Sequence, residues 1–143
     1  MSQVAPAPQS GEQESSKSEE QPSSPSKEAL RKLDRERNLW IATVRANGRP
    51  HLVPVWFVWS AGCIYLAVDP ESVKARNLRA NAHVALALED GSHPVICEGV
   101  ANLLQAAPAP VAEAFHAKYD WAVAEEREYS TIVEIVPSKW MVW

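Results

Sequence analysis

Three fixed positive charges lie close together in a chain that is acidic overall. The stretch ESVKARNLRAN, residues 71–81, contains Lys74, Arg76 and Arg79, and no acidic residue occurs from residue 72 to residue 88. The whole chain has a formal net charge of −4 at pH 7. Such a cluster either holds an anion or forms a solvated helix face. The residue types alone leave both interpretations open.

The position of this cluster in a predicted helix suits chemistry with phosphate. Asp69 is a favoured N-cap type and Pro70 suits the first helical position, so we predict a helix over about residues 70–80. Ser72 and Lys74 then lie in the first turn, where N–H groups are unpaired and the helix dipole is positive. A hydroxyl and an ammonium at this place can hold a phosphate group, to which an arginine can add a bidentate contact.

Other reactive side chains give weaker signals. Cys63 and Cys97 each lie inside an apolar run without a partner at metal-ligand spacing, which predicts two buried thiols. The sequence offers no serine on a nucleophile elbow and no Cys–His pair at a supporting spacing. We interpret His83, His93 and His116 as structural or solvated. No catalytic side chain is therefore assigned.

The elements that must position these residues are mostly strands. The Asn-Gly pair within ANGR, residues 46–49, is a strong hairpin signal between two apolar runs. Strands are predicted over residues 39–45, 50–59, 63–68, 83–88, 94–104, 130–136 and 139–143, and helices over residues 27–37, 70–80 and 109–127. Six or seven antiparallel strands with so few helices predict a small closed or nearly closed barrel.

Two residues and one run inside these strands carry positional information. Pro54 cannot donate to a sheet ladder, so it predicts an edge, a bulge or a place where the strand faces a ligand. Gly99 predicts a bulge in a long strand. The run VPVWFVW, residues 53–59, is apolar on both faces, so a second subunit or a flat ligand should cover the second face. We expect a homodimer.

Composition and charge indicate which part of the chain folds and which classes of protein are excluded. Residues 1–27 are rich in Ser, Pro, Gln and Glu and contain no aromatic residue, so we predict a disordered tail before a folded domain over residues 28–143. The charge balance does not indicate a nucleic-acid partner. No apolar run approaches the roughly 18 residues of a membrane span. A reducing, cytoplasmic setting fits the two unpaired cysteines.

Three segments, in their order and spacing, resemble the pyridoxamine 5′-phosphate oxidase-like superfamily of flavin- and deazaflavin-binding split barrels. The segments are LWIATVRANGRPHLVPVWFVW, GCIYLAVDPESVKARNLRANAHVALAL and PVICEGVANLL, and together they span residues 39–104. The resemblance implies a mainly β fold, a six-stranded antiparallel split β-barrel with Greek-key connections and short flanking helices. It also implies a homodimer with the flavin bound in the dimer interface.

The resemblance assigns the segment SVKARN to the cofactor phosphate. Lys74 is the best match for the phosphate-binding lysine, and Ser72 occupies a further phosphate-contact position. Arg76 and Asn77 are further candidates, with ordering of the local backbone as the alternative role of Asn77.

On the second predicted strand, the segment HLVPVW matches the part of the family that runs along the isoalloxazine ring. The match implies ring contacts from a set of five residues: His51, Val53, Pro54, Val55 and Trp56. In the pyridoxamine-phosphate oxidases themselves, the positions of His51 and Trp56 carry basic residues, and a C-terminal Arg and His hold the substrate. Here the chain ends in SKWMVW, so pyridoxamine-phosphate oxidation is not expected.

The function that the resemblance implies is hydride transfer between a flavin-type cofactor and a small flat organic substrate. FMN is the expected cofactor and the deazaflavin F420 is the alternative, because both present a tricyclic ring and a phosphate. Apart from the 74–79 cluster, only Arg45 and Arg49 could meet the long acidic tail of F420, which favours FMN. The alternative class is a non-catalytic flavin- or haem-binding split barrel, with His51 or His116 as the candidate haem ligand.

Overall fold

The computed structural model of the chain describes residues 24–142. Residues 1–23, most of the predicted disordered tail, lie outside the described residues. Residues 24–142 form three α-helices and one 3₁₀ turn: α1 Lys27–Arg35, α2 Val73–Ala80, α3 Ala109–Tyr119 and the turn Val123–Glu125. They also form seven strands: β1 Asn38–Val44, β2 Pro50–Trp56, β3 Val58–Ser60, β4 Cys63–Val68, β5 His83–Leu88, β6 Val95–Leu104 and β7 Thr131–Val142.

The strands form one antiparallel sheet in the order β2-β1-β5-β6-β7-β4-β3. The end strands β2 and β3 are joined through Phe57 alone, so the sheet must curl until the last residue of β2 and the first residue of β3 lie close together. The mainly β barrel-like fold is thus confirmed for the described part of the chain. The expected count of six strands is wrong, because this sheet contains seven.

The predicted strands over residues 130–136 and 139–143 form one strand, β7, whereas the predicted strand over residues 50–59 divides at Phe57 into β2 and β3. The hydroxyl of Tyr119 accepts a hydrogen bond from the Phe57 N–H at 3.0 Å. The Phe57 carbonyl accepts from the Tyr119 hydroxyl at 2.8 Å and from Lys118 Nζ at 3.1 Å. Two side chains of α3 thereby replace the ladder partners of Phe57, and the chain can turn there without losing backbone hydrogen bonds.

Local sequence signals position the other strands. Gly48 has a φ of 87° in the β1–β2 turn, and its N–H donates to the Arg45 carbonyl at 2.8 Å, which confirms the predicted hairpin. Pro54 lies opposite Trp40 on β2, an end strand of the sheet, so the predicted edge position is confirmed. The ladder between β6 and β7 shifts register between Glu98 and Gly99, as predicted, but the extra residue is Ser138 of β7.

The curled sheet has a core on each of its two sides. Inside the curl, strand residues pack with Ala29 and Leu33 of α1 and with Ala75 and Leu78 of α2. Outside the curl, α3 packs against β3, β4 and β7 through a second cluster whose members include Val58, Tyr65, Val111, Phe115, Tyr119 and Ile132. The predicted helix over residues 109–127 is shorter than expected, because Asp120 adopts a left-handed conformation, with φ of 55°, that ends α3.

The remaining outer face of the sheet is open to solvent and carries several large apolar side chains. Its large exposed side chains include Trp40, Leu52, Val100 and Val136, with exposed fractions of 38%, 60%, 38% and 43%. They lie on β1, β2, β6 and β7, outside the area that α3 covers. None of the described helices is both long enough and apolar enough to cross a membrane.

Candidate functional site

Ser72 is the N-cap of α2. Its hydroxyl oxygen accepts a hydrogen bond from the Ala75 N–H at 3.2 Å. The predicted start of this helix, with Asp69 as the cap and Pro70 as its first residue, is therefore wrong by three residues. The physical reason is local: Asp69 Oδ1 accepts from the Glu71 N–H at 2.8 Å and makes a turn before the helix begins.

The first turn of α2 keeps donors available. The Arg76 N–H bonds the Ser72 carbonyl, while no acceptor for the N–H groups of Val73 and Lys74 is found among residues 24–142. The hydroxyl proton of Ser72 is also free to donate, because the Ala75 bond uses only its oxygen as acceptor. Three donors therefore surround the start of α2.

Lys74 brings a charge to the same place. Its side chain is half-buried, and this burial lowers the pKa of the ammonium below its ordinary 10.5, with a smaller opposing effect from the Asp69 carboxylate. Within the described part of the chain, Lys74 Nζ forms no hydrogen bond or ion pair. A partly desolvated cation without a partner is costly, so this site favours an anion.

His51 on β2 lies close to this charge. Burial lowers the pKa of His51 below its ordinary 6.5, and the positive charges of Arg45 and Lys74 lower it further. The imidazole is therefore neutral near pH 7. Its Nδ1 atom is buried and has no hydrogen-bond partner among the described residues. An unpartnered ring nitrogen between two cations is a second sign that a polar group belongs here.

Asn77 fixes the position of α2 relative to the sheet. Its side-chain Nδ2 donates to Thr43 Oγ1 at 3.0 Å, and both residues are buried. Thr43 lies directly opposite His51 in the β1–β2 register. The alternative role predicted for Asn77 was hydrogen bonding to the nearby backbone, whereas this bond reaches a side chain of β1. Thr43 was not among the predicted site residues, although it is a polar residue in the apolar run LWIATV.

The two arginines of α2 hold the loop that precedes it. Arg76 Nη2 donates to the Glu71 carbonyl at 3.1 Å, and Arg79 Nη2 donates to the Pro70 carbonyl at 2.9 Å. Both guanidinium groups are exposed. Arg76 lies near the predicted phosphate seat, and its remaining N–H groups are open to solvent. Arg79 thus lies at the surface, bonded to the loop before the helix.

The predicted ring contacts on β2 divide between two faces. His51, Val53 and Val55 are half-buried on the inner face, whereas Pro54 and Trp56 are exposed on the outer face. The division follows from the alternation of side chains along a strand. His51 and Trp56 are also about 16 Å apart along β2, at ~3.3 Å per residue. The structure thus brings His51, but not Trp56, to the start of α2.

The cleft and the two cysteines of the described chain lie away from the start of α2. A shallow cleft of about 240 Å³ is formed by α1, β3 and α3, and its lining includes Leu33, Trp59 and Lys118 but no residue of α2. No group of three or more His, Cys, Asp or Glu residues in the described chain could hold a metal ion. Cys97 is fully buried as predicted, while Cys63 is half-buried.

Comparison with solved structures places this geometry in a known fold. An F420 reductase is 22% identical, with a TM-score of 0.66 over 82% of this chain and 98% of that chain. A conserved hypothetical protein from Mycobacterium tuberculosis is 25% identical, with a TM-score of 0.68 over 83% of this chain and 84% of that one. The haem storage protein HutZ from Vibrio cholerae is 18% identical, with a TM-score of 0.68 over 81% and 93%.

No curated protein matches the chain. The sequence model described as pyridoxamine 5′-phosphate oxidase matches residues 26–143, which include the barrel and all three helices. The chain therefore belongs to the pyridoxamine 5′-phosphate oxidase family.

Proposed function

We propose that the protein is a flavin-dependent oxidoreductase that binds FMN, with F420 as the alternative cofactor. The observation that carries the proposal is the half-buried Lys74 ammonium, which has no partner among the described residues and lies beside the open first turn of α2. The residues present fit a phosphate, because an anion there would satisfy both the charge and the free N–H groups. Relatives of the same fold include an F420 reductase and a FAD-binding protein from Mesorhizobium loti.

The phosphate would be held by Ser72, Lys74 and the N–H groups that open α2. Ser72 donates through its hydroxyl while it caps the helix, and Lys74 supplies the charge. Arg76 adds a second charge from the exposed side. Asn77 acts one step away, because its bond to Thr43 holds the helix start against β1.

The isoalloxazine ring would lie along β2. This strand is an end strand of the sheet, and Pro54 has no N–H, so the edge is open to a flat group. Val53 and Val55 offer apolar contacts, and the neutral His51 offers its unpartnered Nδ1. When bound, the cofactor supplies hydride transfer, while these residues bind it, orient it and exclude water.

The proposal includes a homodimer formed through the bare outer face of the sheet. Four strands of this face carry exposed apolar side chains, namely Trp40, Leu52, Val100 and Val136, and an exposed apolar area of this kind is typical of an interaction surface. A second copy placed there would also cover Pro54. The free thiols of Cys63 and Cys97 fit the predicted cytoplasmic setting.

A haem-binding protein without catalytic activity is the second candidate. Haem storage is the role named for the similar protein HutZ. His116 is exposed on α3, with its Nε2 3.7 Å from Asp120 Oδ1, and its imidazole would hold the haem iron. His51 is less suited, because its Nδ1 is enclosed beside two cations.

The experiment that tests the proposal is a titration of the purified apo-protein with FMN, F420 and haem, followed by absorbance and fluorescence. Saturable binding of FMN supports the proposal, and tighter binding of F420 supports the alternative cofactor. A Soret band that is lost in His116→Ala supports the haem candidate instead. Binding of none of the three contradicts both functions.

A further inference from the structure

The exposed ring of Trp56 is held rigidly at the corner between β2 and α3. It stacks on the Tyr119 ring with 4.5 Å between centroids and 10° between planes. The Trp121 ring meets it edge-on at 5.9 Å. Tyr119 is itself fixed, because its hydroxyl bonds the backbone of Phe57. Trp56 nevertheless remains 45% exposed, so part of a large ring is presented to solvent in one orientation.

A positive charge accompanies this ring. The Arg37 Cζ atom lies 4.7 Å from the Tyr119 ring centroid and 5.6 Å from that of Trp56. Arg37 Nη1 donates to the Lys118 carbonyl at 3.1 Å, which orients the guanidinium. No carboxylate of residues 24–142 forms an ion pair with Arg37, and the nearby Glu36 is paired with Lys32 Nζ at 3.5 Å.

We propose that Trp56 and Arg37 form a subsite for a planar aromatic anion, such as an aromatic carboxylate. A rigid indole face binds a planar ring by stacking, and a guanidinium with free N–H groups binds a carboxylate through paired, charge-assisted hydrogen bonds. Neither group needs to move, so little ordering entropy is lost on binding.

This subsite is separate from the phosphate seat. Trp56 faces outward from β2, whereas His51 faces inward near Lys74, about 16 Å away along the strand. The binding of the planar anion to Trp56 and Arg37 does not depend on the proposed function.

Isothermal titration of the full-length protein with 2-naphthoate and with its uncharged analogue 2-naphthamide tests the subsite. We expect naphthoate to bind about tenfold more tightly, the worth of one charge-assisted contact. Arg37→Gln should remove this preference, and Trp56→Leu should weaken both probes. Tyr129→Leu is the matched control, because Tyr129 is an exposed ring of the same aromatic cluster without a guanidinium beside it.

The outcomes are separable from those of the cofactor proposal. Lys74→Met should weaken FMN binding by ~10- to 150-fold and leave naphthoate binding unchanged. The subsite is contradicted if naphthoate does not bind, if naphthoate and naphthamide bind equally, or if Tyr129→Leu weakens naphthoate as much as Trp56→Leu does. Loss of naphthoate binding in Lys74→Met would also overturn it, since the anion would then occupy the phosphate seat.

Discussion

The side-chain amide of Asn77 donates a 3.0 Å hydrogen bond to the hydroxyl of Thr43, and the two residues are only 6% and 1% exposed. This bond joins α2 to β1 over 34 positions of the chain. It places the first turn of α2, with Lys74, beside His51 on the neighbouring strand. The geometry of the candidate phosphate seat therefore depends on a pair of residues that need not touch the phosphate.

Asn77→Leu should destabilise the fold by about 1–3 kcal/mol, because the Thr43 hydroxyl would be left buried without its partner. Urea unfolding of the apo-protein measures this loss. The double variant with Thr43→Val removes both polar groups and should recover part of the stability. If Asn77→Leu unfolds at the same urea concentration as the parent protein, the bond does not hold α2 in solution.

Much of this arrangement can be predicted from the sequence, and the exceptions depend on contacts that form only in the folded chain. The Asn-Gly turn, the edge position of Pro54 and the bulge at Gly99 follow from backbone rules that act over a few residues. The start of α2 was misplaced because Asp69 and Ser72 are both good caps, and only the folded chain shows which one is used.

Contacts between residues far apart in the chain could not be predicted from such local rules. The division of β2 from β3 depends on Tyr119, which is 62 positions from Phe57. The partnership of Thr43 with Asn77 likewise requires α2 to pack on β1. The resemblance implies ring contacts along the whole of β2, but strand alternation places Trp56 and His51 on opposite faces.

The ion pair between α1 and the β5–β6 turn should make the stability of the fold depend on pH in the acidic range. Lys32 Nζ lies 2.7 Å from Asp90 Oδ2. This hydrogen bond, helped by the Ser92 and His93 N–H groups, holds the pKa of Asp90 well below its ordinary 3.8. The stabilisation is therefore complete above that ordinary value and is lost as the pH falls below it.

Melting temperatures measured between pH 7 and pH 2.5 check this expectation. The melting temperature of the parent protein should fall further over this range than that of Asp90→Asn. The variant should melt at a lower temperature at pH 7, because Lys32 loses its 2.7 Å partner and keeps only Glu36, at 3.5 Å. Glu113→Gln, an exposed change on α3, should behave as the parent does. Parallel curves for Asp90→Asn and the parent would show that the pair does not contribute.

Leu52→Glu should convert the proposed homodimer to a monomer. Leu52 is 60% exposed near the centre of β2, on the bare apolar face, and a carboxylate buried there in a dimer would be unpaired. Sedimentation equilibrium reports the mass directly. Ala46→Glu adds the same charge in the exposed β1–β2 turn and should leave the dimer intact. A monomeric parent protein, or a dimer that survives Leu52→Glu, would rule out this face.

The apo-protein should become more stable when Lys74 loses its charge. Burial lowers the pKa of Lys74, so the charged form is disfavoured in the folded state at neutral pH. Lys74→Met should therefore raise the melting temperature of the apo-protein, whereas Arg79→Met, at an exposed position, should not raise it. A lower melting temperature for Lys74→Met would mean that the lysine has a structural role instead of a binding role.

The FMN affinity of Lys74→Met, measured by titration of the apo-protein and compared with that of the parent, tests the central claim most directly. We predict a loss of about 1.5–3 kcal/mol, or ~10- to 150-fold in Kd, the worth of a charged hydrogen bond. Arg79→Met, which removes a nearby charge already bonded to the Pro70 carbonyl, should change the affinity far less. Equal FMN affinities for the parent and Lys74→Met would contradict the assignment of a cofactor phosphate to the start of α2.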